Sequence, residues 1–387
     1  MIRTVGNISF KGKKVLIRSD LNVPLDKKGT ITDDTRIIKS LETIKYILEQ
    51  KPKRVVIMSH LGRPKGRAVK ELRMNNIAER LSELIGMSVH KADDCVDVEI
   101  PAQGIVLLEN LRFHKEEEEN SGAFAEKLSK YGDIYVNDAF GTCHREHASV
   151  CAITEFMPSC AGLLLEREIK MLSKAMLNAE SPFVFVLGGA KVSSKIKLIE
   201  NMLKKADRIL VGGAMIFTFY RAMGKETGKS IYEEGFIEKA KQVLKSKKIV
   251  LPVDVVKARE ISSDADATNA SIDEINSEEY GLDIGEESIK LFKEEIKKAK
   301  TIVWNGPMGV FEINKFSKGT EEIARAIAES RAFKVAGGGD RVAAIRKYGI
   351  EDKFDHVSTG GGAMIEFFEG KELPGIKALR QNSEIFK

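Results

Sequence analysis

The stretch Leu187-Gly188-Gly189-Ala190-Lys191-Val192-Ser193-Ser194-Lys195 sets two glycines and two lysines behind the apolar run Phe183-Val184-Phe185-Val186. The run reads as a buried strand, and Ile196, Ile199 and Leu203 follow at helical spacing in a segment reaching Lys205. At a strand-to-helix turn of this kind glycine lets backbone N–H groups approach an anion, and the helix start favours negative charge. Lys191 and Lys195, four apart, would add mobile cations on one face of the first turn. The chemistry expected here is phosphate binding.

A second set of residues lies earlier in the chain. Arg18, Asp20, Asn22 and then Arg36 follow an apolar run at Lys14 to Arg18; His60 and Arg63 follow one at Arg54 to Met58. Arg112 and His114 follow Gly104 to Leu108, and His144 and Arg145 follow Asp133 to Val136. Guanidinium groups bind phosphate and carboxylate as forks, so an arginine recurring behind four strands predicts a small, multiply charged anion. Asp20 and Asn22 suit the orientation of guanidinium groups or the binding of substrate hydroxyls.

Four more glycine loops follow strands in the second half. They are Val211-Gly212-Gly213-Ala214, Trp304-Asn305-Gly306-Pro307-Met308-Gly309-Val310-Phe311-Glu312, Gly337-Gly338-Gly339-Asp340 and Ser358-Thr359-Gly360-Gly361-Gly362. Five such loops in one half point to a nucleotide polyphosphate. Asp340 is a natural partner for Mg²⁺, which usually takes few protein carboxylates beside phosphate oxygens. Glu312 could accept hydrogen bonds from ribose hydroxyls. By contrast, Gly224-Lys225-Glu226-Thr227-Gly228-Lys229-Ser230 only imitates a phosphate loop, with three residues between its glycines where four are required. It reads as an ordinary polar loop.

The elements that must position these residues alternate strand and helix. Strands are expected again at Phe183 to Leu187, Arg208 to Val211, Lys248 to Pro252, Thr301 to Trp304 and Phe333 to Ala336. Helical patterns occupy Thr35 to Glu49, Glu233 to Leu244, Glu286 to Lys298 and Thr320 to Ser330. This is the pattern of an α/β protein with mainly parallel sheets covered on both faces. A helical pattern from Cys160 to Asn178 separates the two series and suits a hinge.

At 387 residues the chain is long enough for two domains or one large one. Its 43% hydrophobic and 31% charged content is that of a soluble globular protein. The net charge of +5 comes from interspersed lysines and glutamates, which argues against nucleic acid as a partner. No apolar run nears the ~20 residues of a membrane helix, and basic residues interrupt the N-terminus where a signal peptide would be apolar. Cys95, Cys143, Cys151 and Cys160 form no Cys-x-x-Cys pair, so reduced thiols in a cytoplasm are expected.

Taken together, Arg-x-Asp-x-Asn-Val-Pro, Ser-His-Leu-Gly-Arg-Pro, Leu-Glu-Asn-Leu-Arg-Phe, Asn-Asp-Ala-Phe-Gly-Thr, Gly-Gly-Ala-Lys-Val-Ser, Trp-Asn-Gly-Pro-x-Gly-Val-Phe-Glu and the two glycine triplets resemble the phosphoglycerate kinase family, in family order, from Lys14 to Leu379. The resemblance implies two Rossmann-like three-layer α/β/α domains: a phosphoglycerate-binding domain over 1–159 and a nucleotide-binding domain over 179–370. It also implies a hinge helix over 160–178 and a tail, 371–387, returning to the first domain. The implied reaction is reversible phosphoryl transfer between 1,3-bisphosphoglycerate with MgADP and 3-phosphoglycerate with MgATP; a monomer is the default expectation for its oligomeric state, and the cysteines place it in a cytoplasm. Asp20, Asn22, Arg36, His60, Arg63, Arg112 and Arg145 would surround the phosphoglycerate, with Arg36 facing the transferring group. Gly189, Ala190, Lys191, Lys195, Gly212, Gly213, Asn305, Pro307, Glu312, Gly337, Gly338, Gly339, Asp340 and Arg341 would surround the nucleotide, Asp340 serving the metal. Lys191 and the backbone amides near Gly339 and Gly362 would line the path between the substrates. Three positions depart from the family pattern: Arg341 stands in place of threonine or serine, Met364 in place of serine, and Ala214 in place of a third glycine. A different acyl-phosphate kinase, or a non-catalytic nucleotide-binding protein, would share the glycine loops without needing the arginine series.

Overall fold

The structure is a computed structural model and describes residues 2–338 and 344–386. The chain divides into two compact units, one running to Lys170 and taking back the segment from Glu372 on, the other holding Met171–Lys371.

In the first unit, alternate residues of each strand enter opposite cores, as a pleated strand requires. Strand β1 (Lys14–Ser19) sends Val15 and Ile17 to one side and Leu16 to the other; β2 (Arg54–Met58) likewise separates Val55 and Ile57 from Val56 and Met58. With β3 (Val89–Lys91), β4 (Gly104–Leu107), β5 (Ile134–Asp138) and β6 (Ser159–Ala161) they form a parallel sheet in the order β3-β4-β2-β1-β5-β6. Helices α1 (Thr35–Glu49) and α2 (Asn75–Ile85) cover one face, their buried Ile37, Leu41, Ile44, Ile77 and Leu81 at helical spacing. The short α3 (Lys115–Glu118) precedes α4 (Gly122–Ser129), whose Phe124, Ala125 and Leu128 cover the other face.

The helix expected over 160–178 begins later. Ser159, Cys160 and Ala161 pair with Tyr135, Val136 and Asn137 as edge strand β6, and α5 runs Leu163–Leu177. Asp138 at the end of β5 accepts the N–H groups of Leu164 and Leu165 through Oδ1 (3.0 and 3.4 Å), which fixes where α5 starts. The division between the two units falls inside α5, at Lys170 and Met171. The helix Pro374–Ile385 packs in the first unit, where Gly375 N–H donates to the Cys143 carbonyl and Asn382 is buried among Thr154, Met157 and Ser159.

The second unit has a parallel sheet of β7 (Phe183–Leu187), β8 (Arg208–Val211), β9 (Ile249–Val250), β13 (Thr301–Asn305), β14 (Phe333–Gly337) and β15 (His356–Ser358), in the order β15-β14-β13-β7-β8-β9. Around it lie α6 (Ile196–Leu203), α7 (Ile216–Ala222), α8 (Ile237–Leu244), α9 (Glu286–Lys298) and α10 (Lys318–Glu329). A three-stranded antiparallel sheet was not expected: β10 (Asp254–Ala258) lies between β11 (Thr268–Ser271) and β12 (Tyr280–Ile284). No described helix is long and apolar enough to cross a membrane.

Candidate active site

Ligands of open parallel sheets gather at the carboxyl ends of strands, where the strand order reverses. In the first unit that point lies between β1 and β5, and four loops meet beside it. Asp20 follows β1, and its carboxylate pairs with Arg36 Nη1 from the first turn of α1. A Cβ built on Gly141, in the loop after β5, would lie 2.5 Å from Asp20 Oδ2 and 3.7 Å from that Arg36 nitrogen, so all three meet. Asn22 Oδ1 accepts Gly62 N–H from the loop after β2 (2.8 Å), and the Gly62 carbonyl accepts Arg112 Nη1 (2.9 Å). Asn110, after β4, exchanges hydrogen bonds with both backbone groups of Leu61. The expected residues therefore sit on loops stitched side chain to backbone.

Their exposure differs. Arg36 and Arg145 are half-buried and Arg63 is exposed, whereas Arg112 is 3% exposed and its guanidinium is engaged by Gly62 and, at 3.4 Å, by Glu118. Burial lowers Arg112 to about 10, which still leaves it a cation at neutral pH. His60 is buried and falls well below the ordinary histidine value, first through burial and then through the neighbouring cations of Arg18, Arg112 and Arg36. Burial, and then the cations of Arg112, Arg18 and Arg145, push His147 down to about 3. Both imidazoles are neutral, and the positive charge of this pocket is guanidinium. Arg18, one of the four strand-end arginines, is fully buried and points into the protein, with Nη2 3.1 Å from His60 Nδ1.

In the second unit the order reverses between β7 and β13, and the loops after them cross at backbone distance. A Cβ on Gly188 would stand 1.9 Å from the Pro307 carbonyl oxygen, so no side chain fits there. Gly213, at φ +70°, donates to the Met308 carbonyl (2.8 Å) and lies against the Gly189 backbone. The only tryptophan in the chain, Trp304, is buried and donates from Nε1 to the Gly306 carbonyl (2.7 Å), pinning the same loop. Lys195 Nζ donates to Asn305 Oδ1 (3.1 Å), while Lys191 is exposed. The two lysines do not share a helical turn: Lys195 caps α6, and a hydrogen-bonded turn from Val192 to Lys195 separates them.

A cavity of about 420 Å³ opens on these loops, lined by Gly189, Ala190, Lys195, Gly213, Pro307 and Glu312 among the expected residues. Gly212 lies beneath it against Met308, and Asn305 reaches it through Lys195. Gly337 ends β14 and Gly338 follows it, both outside the lining, and Gly362 is exposed in the first turn of the helix Gly361–Phe368. Met364 fills the space over Gly337, where a Cβ would meet its sulfur at 2.1 Å, which accounts for a large apolar residue at this position. Gly339, Asp340 and Arg341, and with them the expected metal partner, lie outside the described residues.

The far wall of the cavity was not anticipated. Phe217 and Ile216 of α7, Ile231, Ile261 and the β12 residues Tyr280 and Leu282 make it apolar, as a nucleotide base requires. Ser230, the end of the imitation phosphate loop, belongs to this wall and accepts Gly281 N–H through Oγ (2.9 Å). The alternation Tyr280-Gly281-Leu282-Asp283-Ile284 was the available signal for β12.

The family model for phosphoglycerate kinase matches residues 5–371. The phosphoglycerate kinase of Dictyoglomus turgidum is 50% identical over 384 residues, covering 96% of each chain. That of Finegoldia magna is 49% identical, covering 97% of this chain and 98% of its own. Among solved structures, the phosphoglycerate kinase of Coxiella burnetii is similar with a TM-score of 0.90 at 43% identity, covering 98% of this chain and 99% of that one. The Pyrococcus horikoshii enzyme gives 0.86 at 35% identity over the full length of both chains. With a cationic pocket on one sheet, a glycine-lined cavity on the other and relatives matched over nearly their whole length, the chain belongs to the phosphoglycerate kinase family, phosphotransferases whose acceptor is a carboxyl group.

Proposed function

We propose that this chain transfers a phosphoryl group reversibly between 1,3-bisphosphoglycerate with MgADP and 3-phosphoglycerate with MgATP, as a cytoplasmic monomer. One observation carries the reading: the two sheets present different chemistry at the same topological point, guanidinium groups on one and an apolar cavity edged with glycine and lysine on the other. The first suits a small polyanion, the second a nucleoside polyphosphate.

Asp20, Asn22, Arg36, His60, Arg63, Arg112 and Arg145 hold the phosphoglycerate in this reading. The nucleotide base occupies the apolar wall, Glu312 takes the ribose, and Lys191, Lys195 and the glycine backbones meet the phosphates. Asp340, outside the described residues, would hold a magnesium ion beside the nucleotide phosphates, and the ion would neutralise part of their charge. The acceptor carboxylate is ionised at neutral pH, so no general base is needed. His60 and His147 support this, since burial and neighbouring cations hold both well below the ordinary histidine value and leave them weak bases. Catalysis then rests on positioning and on charge stabilisation of the transferring group. Arg36 and Lys191 each serve the transferring group in this reading, and keeping water from that group removes a competing acceptor.

A coupled assay supplying MgATP and 3-phosphoglycerate tests the reading. Formation of bisphosphoglycerate is expected; nucleotide binding with no turnover would leave only a binding protein.

A further inference from the structure

We propose that Arg18 is a positioning residue that holds His60 in the tautomer with its proton on Nε2, making the imidazole a hydrogen-bond donor toward the phosphoglycerate. The substrate side of this inference rests on the function proposed above; the tautomer does not.

Every polar nitrogen of Arg18 is engaged. Nε donates to Ser149 Oγ (2.9 Å), Nη1 to the Ser19 carbonyl (2.5 Å), and Nη2 lies 3.1 Å from His60 Nδ1. A guanidinium has only donors, so Nδ1 must offer its lone pair and the imidazole proton must sit on Nε2. The opposite tautomer would set N–H against N–H between two buried side chains.

The other end of the chain of bonds fixes the arginine. Ser149 Oγ donates to Glu117 Oε1 (2.6 Å) and Ser149 N–H to Glu117 Oε2 (2.9 Å). The serine hydroxyl proton is thereby committed to the carboxylate, leaving an oxygen lone pair for Arg18. Glu117 is fully buried on α3 and supplies the charge that balances the buried guanidinium, one serine away. From Glu117 through Ser149 and Arg18 to His60, each donor and acceptor role follows from the one before. The remaining cations near the ring, Arg112 and Arg36, raise the cost of protonating it. An anion meeting His60 then finds an N–H rather than a lone pair.

Long-range ¹H–¹⁵N spectra of the histidine-labelled protein at neutral pH read the tautomer directly, with His60 identified among six histidines by its loss in His60→Gln. A neutral ring protonated on Nε2 is expected without substrate; a ring protonated on Nδ1, or an imidazolium, would overturn the proposal. Arg18→Met should release the tautomer and raise KM for 3-phosphoglycerate about tenfold, the effect of one hydrogen bond to a charged group, with kcat changing less. In a His60→Gln background the same substitution should add nothing. A second tenfold rise there would mean that Arg18 meets substrate itself, and the proposal falls. If Arg18→Met does not fold, Ser149→Ala removes only the hydroxyl that anchors Arg18. It should give mixed tautomers and a smaller KM rise, and an unmixed Nε2–H ring in that variant counts against the proposal. Absence of turnover in the wild type would defeat the functional reading while the spectra still decide the tautomer.

Discussion

The two candidate half-sites are built by opposite means on the same kind of sheet. The first unit holds its loops together through side chains: Asn22 and Arg112 on Gly62, Asn110 on Leu61, Asp20 on Arg36, Arg18 on His60. The second brings backbones into contact, Gly188 against Pro307 and Gly213 against Gly189, and among the described residues side-chain ties such as Lys195 to Asn305, Trp304 to Gly306, Met308 to Thr320 and Ser193 to Glu233 hold the loops around them. A compact polyanion is recognised by fixed cations, which need partners to stay in place when buried. A nucleotide is long and partly apolar, so its site needs close backbone approach at the phosphates and an empty slot for the base. What a strand-end loop binds is thus decided by whether its side chains or its absence of side chains form the wall.

Substitution at each site should therefore fail in its own way. Arg36→Ala removes a guanidinium from the transferring group, and turnover should fall roughly a thousandfold, as with other arginines serving phosphoryl transfer. A steady-state kcat within a few-fold of wild type would sink the assignment. Gly213→Ala should instead act through the nucleotide. The new methyl would stand 2.6 Å from Gly189 N at a φ of +70°, so the loop must shift. KM for ATP should rise by roughly tenfold or more while KM for 3-phosphoglycerate stays as it was; equal rises in both would mean that the two half-sites are not independent. Ile231→Ser, on the half-exposed lip of the apolar wall, should raise KM for ATP only about threefold, the loss of a partly buried aliphatic contact.

The sequence showed these two modes unequally. The glycine loops were legible because a glycine behind a strand has few uses other than a turn or a close approach: Gly188 permits the approach, Gly189 takes a φ of +136°, and Gly213 does both. The arginines were legible as a set but not one by one. Nothing in the spacing says that Arg18 turns inward from the end of β1 while Arg36, at the start of α1, stays half-exposed; that depends on Glu117 and Ser149, about a hundred residues or more further on. The apolar wall was missed for a similar reason. The strand β12 is half-buried against β10, whose register slips between Val256 and Lys257, and β11 is the polar run Thr-Asn-Ala-Ser. Short, polar and irregular strands carry little periodic signal.

A last, smaller effect separates the two units by pH. Each has a buried carboxylate at a helix start, Asp138 accepting from Leu164 and Leu165 and Asp283 accepting from Gly319 in the first turn of α10. A helix N-terminus should favour the anion, yet burial dominates and raises both to about 7. For an acid whose folded value lies above its unfolded one, the stabilisation is complete below about pH 4 and is lost as pH rises toward 7. Asp283→Asn keeps an acceptor for Gly319 and cannot ionise, so its denaturation midpoint should fall less than that of wild type between pH 5 and 8, by the equivalent of about 2–3 kcal/mol. Trp304 lies in the same unit and the same core, so its fluorescence follows this transition. Asp138→Asn should flatten the pH dependence of the first unit, read by circular dichroism, and leave the Trp304 transition unaltered. If both substitutions moved the Trp304 transition alike, the two units would unfold as one, and the contrast between them would hold for binding but not for stability.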